Sequence, residues 1–349
     1  PVPAGRCNIR PVRSFMNRKL SRLAAAGIMG FALFTGSFSA SAAPAWSLPE
    51  SGLQMDNASK QAYIYKEMYA SFHPAKDAKP VSHPFEVPDD WTYTRFDMGS
   101  FYMEKLVNPK GSPNRTVLQL HGGGYTTPLH AEYRRIGMRQ SVLSNARDTY
   151  MVDYRIAPRY PYPAALDDAF TAYQSLLKGG CDPKSIIVFG DSAGGNLALA
   201  LSLKLKDEKL PQPGLLILDS PWTTMETISP SRQGSVKKDL ILGEINPNMF
   251  YEINHPSYAK GAKLDDPYLS PLYGDLTGLS PMLIQTGGYE VFLDEGMKLA
   301  EKAASDDVKV TLTVYPYMSH DFPFCVPEIQ DSVDAFEEMQ SFINLNMKP

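Results

Sequence analysis

The chain has 349 residues, a formal net charge of −4, and hydrophobic residues at 43% of its positions. A chain of this length and composition can bury a core without disulfide or metal staples, which excludes a disordered or fibrous protein. No cluster of Lys and Arg is longer than the pairs Arg134-Arg135 and Lys237-Lys238. The slightly acidic balance therefore argues against a nucleic-acid partner.

The beginning of the chain has the layout of an export signal. Residues 16–22 include the basic Arg18, Lys19 and Arg22, and residues 23–34 are apolar. Ala40-Ser41-Ala42 forms a small-residue cleavage site. The apolar run reaches about 18 Å as a helix, well short of the roughly 30 Å core of a bilayer. We therefore predict a signal peptide over 16–42 and export to the periplasm or the medium with no stable membrane anchor. Residues 1–15 are interpreted as upstream or vector-derived sequence.

Beyond residue 42, strand and helix patterns alternate. A helix is predicted over 57–69, within a proline-rich segment that spans 43–90, and an antiparallel hairpin over 91–107. Later apolar runs predict strands over 116–120, 149–154, 185–189, 215–218, 282–285 and 308–315. Helical patterns lie over 164–177, 196–205, 293–304 and 327–345. This alternation predicts an α/β fold with a mostly parallel, doubly wound sheet covered by helices on both faces.

Two segments interrupt this alternation. They are the N-terminal segment 43–90 and a Met- and aromatic-bearing insertion over 222–262. We predict that both form a helical cap over the carboxyl edge of the sheet, where open α/β folds bind their ligands. The core then consists of residues 91–221 and 263–349.

The cysteines offer no metal site or disulfide framework. Cys181 and Cys325 remain after signal cleavage, and they adjoin predicted strands near opposite ends of a parallel sheet. We therefore expect no disulfide between them. Neither has a CxxC or CxxH neighbour, so no metal site is predicted.

A candidate nucleophile lies in the motif GDSAGG at 190–195, between a predicted strand and a predicted helix. Such a sharp strand-to-helix turn forces the central Ser192 into a strained backbone geometry and exposes its hydroxyl above the sheet edge. Glycines two residues to either side leave room for the approaching elements. The motif alone is weak, but this context favours a nucleophilic serine.

A candidate oxyanion site follows another predicted strand, in HGGGY at 121–125. Successive glycines allow backbone N–H groups to point into a cavity where a Cβ would collide. We predict that the N–H groups of Gly122, Gly123 and Ala193 hold a developing negative oxygen. His121 is predicted to support the loop rather than to act as a base.

The base is identified by elimination. Of six histidines, three precede proline, and His121 and His130 lie in or after the glycine loop. His320 remains, in the turn after the last predicted strand, from which an imidazole could reach Ser192.

The acid that orients this histidine is expected in the turn after the strand over 282–285. Glu290 is nearest the strand end and is favoured, while Asp294, one helical turn later, remains an alternative. The order Ser192, Glu290, His320 is that of α/β-hydrolases.

Five motifs together resemble the bacterial hormone-sensitive-lipase family of carboxylesterases, also called family IV. They are HGGGY at 121–125, DYRIAPRYPYPAA at 153–165, GDSAGG at 190–195, DPYLSPLYGDLTGLSPMLIQTGGYE at 266–290 and SHDF at 319–322. The resemblance implies an α/β-hydrolase core with a helical cap, and hydrolysis of short- to medium-chain acyl esters without a cofactor. It also implies a small-molecule ester substrate, tolerance of bulky alcohol groups, and pairing as a homodimer through the sheet edge.

The chain departs from this family at several positions. Glu290 stands where many members have Asp, and Arg159 where Glu is usual, which alters a structural ion pair below the site. Tyr289 and Phe292 replace smaller or more polar residues and would narrow the pocket. Candidate pocket residues are Tyr125, Asp191, Trp222, Met249, Phe250, Phe292 and Phe322.

Two other functions remain open. An amide- or peptide-bond hydrolase could use the same scaffold. A non-catalytic small-ligand receptor could too, but the related plant hormone receptors have lost the histidine, whereas His320 is present here.

Overall fold

A computed structural model describes residue 9, Arg13–Phe15 and residues 47–73 and 85–347. The predicted signal peptide over 16–42 lies outside the described residues, as does most of the upstream sequence. The same holds for the prolines at 74, 80 and 84 of the N-terminal segment. Within the described residues, no helix has the length and apolarity needed to cross a bilayer.

In the described part of the chain, nine strands form one sheet in the order β1-β2-β3-β5-β4-β6-β7-β8-β9. The strands are β1 (Arg13–Phe15), β2 (Thr92–Asp97), β3 (Tyr102–Val107), β4 (Ser112–Leu120), β5 (Ala146–Asp153), β6 (Ile186–Asp191), β7 (Leu215–Asp219), β8 (Met282–Gly287) and β9 (Val310–Tyr315). The pairs β1-β2, β2-β3 and β3-β5 are antiparallel, and all later pairs are parallel. This arrangement confirms the mostly parallel sheet with an antiparallel start.

Helices cover both faces of the sheet. They are α1 (Asn57–Phe72), α2 (Ala131–Leu143), α3 (Ala164–Lys178), α4 (Ala193–Asp207), α5 (Ser231–Gly234), α6 (Pro247–Asn254), α7 (Leu293–Ser305), α8 (Phe322–Cys325) and α9 (Gln330–Asn346). Every residue of β7 is buried, because alternate side chains enter different cores. Leu216 and Leu218 join the core with α4, whereas Leu215 and Ile217 join the core with α9.

The helix α2 was not predicted. Its sequence carries three arginines and a central glycine, so it lacks an apolar stripe at helical spacing. Gly137 lies so close to β5 that a Cβ there would be 2.7 Å from the sulfur of Met151. Packing against the sheet therefore stabilises a helix that local patterning does not indicate.

The N-terminal segment lies beside the chain that follows β9. Lys60 of α1 forms an ion pair with Asp331 at 2.7 Å, and Leu53 makes a parallel bridge with Ile329. His73 Nε2 lies 2.9 Å from the carbonyl oxygen of Ile245 in the insertion. The two segments predicted to form the cap are thus in contact with each other.

Two sequence expectations concern individual side chains. Cys325 is a free thiol and therefore does not pair with Cys181.

Arg159 is exposed and lies over the ring of Tyr160 at 5.2 Å, while the ion pair of this stretch joins Arg155 to Asp168 at 2.8 Å.

A buried ion pair joins the insertion to the core. Arg232 Nε lies 2.6 Å from Glu295 Oε1, and both side chains are at most 1% exposed. The other two guanidinium nitrogens donate to the carbonyl oxygens of Ile253 and Thr224, so each of the three nitrogens has a hydrogen-bond partner. Such a pair holds a specific geometry, and removing one partner leaves the other charge buried without compensation.

We therefore expect Arg232→Met to lower the free energy of unfolding by about 3–5 kcal/mol, measured by urea denaturation. The double variant Arg232→Met/Glu295→Gln removes both charges and should recover most of that loss. A single variant as stable as the parent would contradict the importance of this pair.

Candidate active site

The turn between β6 and α4 holds Ser192 in a strained conformation, with φ 53° and ψ −119°. A Cβ at Gly194 would lie 1.9 Å from the carbonyl oxygen of Leu120, and one at Gly190 would lie 2.3 Å from that of Gly194. Ser192 N–H donates to the carbonyl oxygen of Asp219 at 3.0 Å. The strain is thus maintained by close backbone packing that only glycine allows.

The glycine loop after β4 presents free backbone donors. Gly123, Gly124 and Tyr125 have φ values of 93°, 62° and 61°. Among the described residues, no hydrogen bond uses the N–H of Gly123, Gly124 or Ala193. Gly122 N–H instead donates to Asp191 Oδ2 at 3.1 Å. The Gly122 N–H, which the sequence predicts to be an oxyanion donor, thus already has a partner within the protein, whereas those of Gly123 and Gly124 do not.

Asp191 supports this loop. Its Oδ2 also accepts the Tyr133 hydroxyl at 2.9 Å. Burial and, to a smaller extent, the charge of Asp321 raise the pKa of Asp191 to about 8, although the hydrogen bond from Tyr133 lowers it. Asp191 was predicted to line the pocket, but its carboxyl lies against the glycine loop and joins that loop to the serine turn.

Aromatic rings pack around the same loop. His121 stacks on Tyr154 at 4.1 Å, and burial lowers the pKa of His121 to about 3, so it is neutral. Tyr125 donates to Asn196 Oδ1 at 2.7 Å and stacks on Tyr258 at 3.8 Å. His121 thus occupies the supporting position that the sequence indicates. The hydroxyl of Tyr125, a predicted pocket residue, is engaged in the core.

The loops after β8 and β9 bring Glu290 and His320 together. His320 Nδ1 lies 3.2 Å from Glu290 Oε2, and both side chains are at most 2% exposed. The loops are also joined by the Tyr289 N–H, which donates to the carbonyl oxygen of Met318 at 2.9 Å. An acid on Nδ1 leaves Nε2 as the nitrogen that can exchange protons.

Asp294 has a different partner. Its Oδ2 accepts the N–H of Ser231 at 2.7 Å, and its own N–H donates to Ser231 Oγ at 3.2 Å. These reciprocal bonds join the start of α7 to the cap insertion. The geometry therefore favours Glu290 over Asp294 as the acid.

Buried charges determine the protonation of this pair. Burial raises the pKa of Glu290 to about 7, although His320 and the Ser220 hydroxyl favour its charged form. Burial opposes a charge on His320, but the carboxyl groups of Asp321 and Glu290 outweigh it and raise the pKa of His320 well above its usual value. These two carboxyl groups thus favour the charged form of the imidazole, whereas burial opposes it.

Asp321 lies on the other side of the imidazole. Its Oδ2 is 3.1 Å from His320 Nε2, but the two groups are not aligned as a hydrogen bond, and Nε2 has no such partner among the described residues. Asp321 adopts a left-handed conformation with φ 49°, and its N–H donates to Ser220 Oγ at 3.0 Å. The hydrogen bond from Ser192 to His320 is thus not formed in this structure.

Ser192 and His320 nevertheless lie at the same edge of the sheet. Trp222 N–H donates to the carbonyl oxygen of Ser192 at 3.0 Å, and its ring stacks on Phe292 at 5.8 Å. Phe292 in turn meets His320 edge-on at 5.1 Å. One layer of aromatic side chains thus connects the serine and the histidine.

The remaining predicted pocket residues separate into two groups. Met249 is close to the glycine loop, since a Cβ at Gly124 would be 3.0 Å from its sulfur, and Phe250 is half-buried beside it. Phe322 is fully buried against Tyr315, at 4.9 Å between ring centroids. Met249 and Phe250 thus lie nearest the glycine loop, whereas Phe322 is fully buried, as is Phe292 beside His320.

Sequence comparisons identify proteins similar to this chain. A family model described as the α/β-hydrolase fold matches residues 117–324. An esterase of Acinetobacter venetianus is 34% identical over 243 residues, covering 69% of this chain and 79% of that protein. An acetyl-hydrolase of Streptomyces hygroscopicus is 33% identical over 239 residues, covering 68% of this chain and 78% of that protein.

A solved structure is also similar. The crystal structure of an esterase from the bacterial hormone-sensitive lipase family matches with a TM-score of 0.72 and 27% identity. The match covers 84% of this chain and 99% of that chain.

The contact between Asp321 and His320 leads to a prediction about charge. Asp321→Asn removes one of the two carboxyl groups that raise the pKa of His320. That pKa should therefore fall, so that the neutral imidazole appears at a lower pH than in the parent. The pH titration of the His320 imidazole resonances by NMR measures this shift. An unchanged titration would show that Asp321 does not influence the imidazole.

Proposed function

The chain belongs to the bacterial hormone-sensitive-lipase family of α/β-hydrolase esterases, and from this we propose that it hydrolyses carboxylic esters with a Ser192-His320-Glu290 triad. The observation that carries the proposal is the buried pair of His320 Nδ1 and Glu290 Oε2 at 3.2 Å. It lies at the sheet edge where Ser192 sits in a strained turn. A strained serine and an acid-paired histidine at one sheet edge are the components of acyl transfer.

In the first half of the reaction, His320 Nε2 takes the proton of Ser192 as Oγ attacks the ester carbonyl. The carbonyl electron pair moves to the oxygen, and the N–H groups of Gly123, Gly124 and Ala193 stabilise that oxyanion. Collapse of the intermediate expels the alcohol, which takes the proton from His320. For this step, His320 Nε2 must move away from Asp321 and form a hydrogen bond with Ser192.

The second half repeats this chemistry with water. His320 takes a proton from the water, whose oxygen attacks the acyl-enzyme carbonyl. Collapse then returns the proton to Ser192 Oγ and releases the carboxylic acid. Glu290 holds the imidazole in the required tautomer and stabilises the imidazolium in both halves.

We propose short- to medium-chain acyl groups as substrates. Met249 beside Gly124 and Phe292 beside His320 place bulky side chains close to the reacting groups. The similar Streptomyces protein carries the name acetyl-hydrolase, which also favours a small acyl group.

Ser192→Ala should lower turnover by roughly 10⁶-fold, because the residual rate then comes only from binding and the oxyanion donors. The measurement is hydrolysis of p-nitrophenyl esters from acetate to palmitate, with fluorophosphonate labelling of the parent and the variant. We expect rapid hydrolysis of the shorter esters and labelling of the parent only. A Ser192→Ala protein that cleaves at the parental rate would refute the mechanism. Faster cleavage of matched amides than of esters would instead favour an amide hydrolase.

The choice of acid is tested by a second pair of variants. Glu290→Ala should lower kcat by roughly 10⁴-fold, because the imidazole loses its orienting partner. Asp294→Ala is the matched control at the same loop, and it removes a bond to Ser231 rather than to His320. Its kcat should stay within about tenfold of the parent, since only indirect positioning is affected. The reverse pattern would transfer the acid role to Asp294.

A further inference from the structure

The cap insertion contains a buried carboxylate, Asp239, that no step of the reaction uses. Its side chain is only 1% exposed. Its Oδ1 accepts the N–H groups of Ile241 and Leu242, both at 3.0 Å, so the side chain is fixed by its own turn. The carboxylate is thus held in place by its own turn, independently of its contacts with other parts of the chain.

The same carboxylate reaches the loops of both Glu290 and His320. Asp239 Oδ2 accepts the N–H of Val291, the residue after Glu290, at 2.9 Å. Asp239 Oδ1 lies 3.5 Å from the backbone N–H of His320. One side chain therefore contacts the backbone at or next to both members of the acid–base pair.

Two neighbours of Asp239 strengthen this attachment. Ser231 Oγ donates to the carbonyl oxygen of Val291 at 2.8 Å, so both backbone polar groups of Val291 bind the insertion. Leu240 N–H donates to Ser319 Oγ at 3.1 Å, directly before His320. The insertion thus holds each loop at the residue adjoining the functional side chain.

The sheet does not hold these loops by itself. The ladder between β8 and β9 ends at the pair Gly287 and Tyr315, before Glu290 and His320 are reached. Beyond that point, Tyr289 N–H binds the carbonyl oxygen of Met318, and the insertion supplies the contacts described above. A shift of about 1 Å in either loop could cost about 100-fold in rate, because proton transfer depends on the geometry of the pair.

We propose that Asp239, together with Ser231, is a positioning residue that keeps Glu290 and His320 in register, so that the cap insertion maintains the acid–base pair. This role rests on the proposed triad. A carboxylate suits this role because each of its two oxygens can accept a hydrogen bond, and backbone N–H groups approach both.

The substitution Asp239→Asn removes the contact of Asp239 Oδ2 with the loop of Glu290 and leaves the contacts of Oδ1 in place. The amide oxygen can still accept the N–H groups of Ile241 and Leu242, which preserves the turn of the insertion. The amide NH₂ then faces the N–H of Val291, so two donors oppose each other and that contact is lost.

The experiment compares the parent, Asp239→Asn and the control Asp306→Asn in the full chain. Asp306 also accepts a backbone N–H at 2.9 Å, from Leu276, but at the opposite end of α7 from the site. Kinetics with p-nitrophenyl acetate, the rate of fluorophosphonate labelling and the thermal midpoint are measured for each protein. For Asp239→Asn we expect kcat to fall about 10- to 100-fold, with KM within about twofold and labelling slowed in parallel. The control should keep the parental kcat and KM.

Parental kcat in a folded Asp239→Asn protein would overturn the proposal. A raised KM with unchanged kcat would also overturn it, because the insertion would then act on substrate binding. If Asp239→Asn does not fold, Ser231→Ala removes one contact to Val291 and replaces it in the test. A reduced kcat in Ser231→Ala supports the role, and a parental kcat overturns it. A parent that neither hydrolyses esters nor reacts with fluorophosphonate would instead refute the proposed function.

Discussion

The parallel ladder from β6 to β9 is the constraint on which the site depends. Asp191 pairs with Asp219, Asp219 pairs with Gln285, and the ladder continues from β8 to Tyr315 of β9. Because parallel strands end at the same edge of the sheet, the turns that follow β6, β8 and β9 converge there. Ser192, Glu290 and His320 are each carried by one of these turns. Any slip in register would move the three side chains relative to one another.

This edge of the sheet costs folding free energy, because several acidic side chains are buried around the imidazole of His320. Asp191, Asp219, Glu290 and Asp321 all have a raised pKa, and burial is the largest cause for each. The two carboxyl oxygens of Asp219 have no hydrogen-bond partner within the residues that the structure describes. Burial removes competing water and strengthens the attraction between His320 and its neighbouring carboxyl groups. The fold therefore keeps several acidic side chains buried beside His320 at a cost in folding free energy.

The insertion between β7 and β8 contacts the glycine loop, α7 and the turn after β8. Met249 covers the glycine loop, Arg232 binds the buried Glu295, and Asp239 binds the residue after Glu290. The first contact shapes the pocket, and the second anchors the insertion to α7. The third is the basis of the proposed positioning role. The insertion is thereby in contact with both the glycine loop and the proposed acid–base pair.

Features that depend on local chemistry could be predicted from the amino-acid sequence alone. Buried strands alternate with helices because apolar runs and periodic helices must cover one another, and this indicated the sheet. The motif around Ser192 and the glycines after β4 indicated strained backbone, since other residues cannot occupy those positions. Which glycine N–H is free could be seen only once the chain was folded, because Asp191 lies 69 residues from Gly122. It also favoured Glu290 over Asp294, whose partner Ser231 lies 63 residues away. These outcomes depend on contacts between distant segments, and no local periodicity encodes which segments meet.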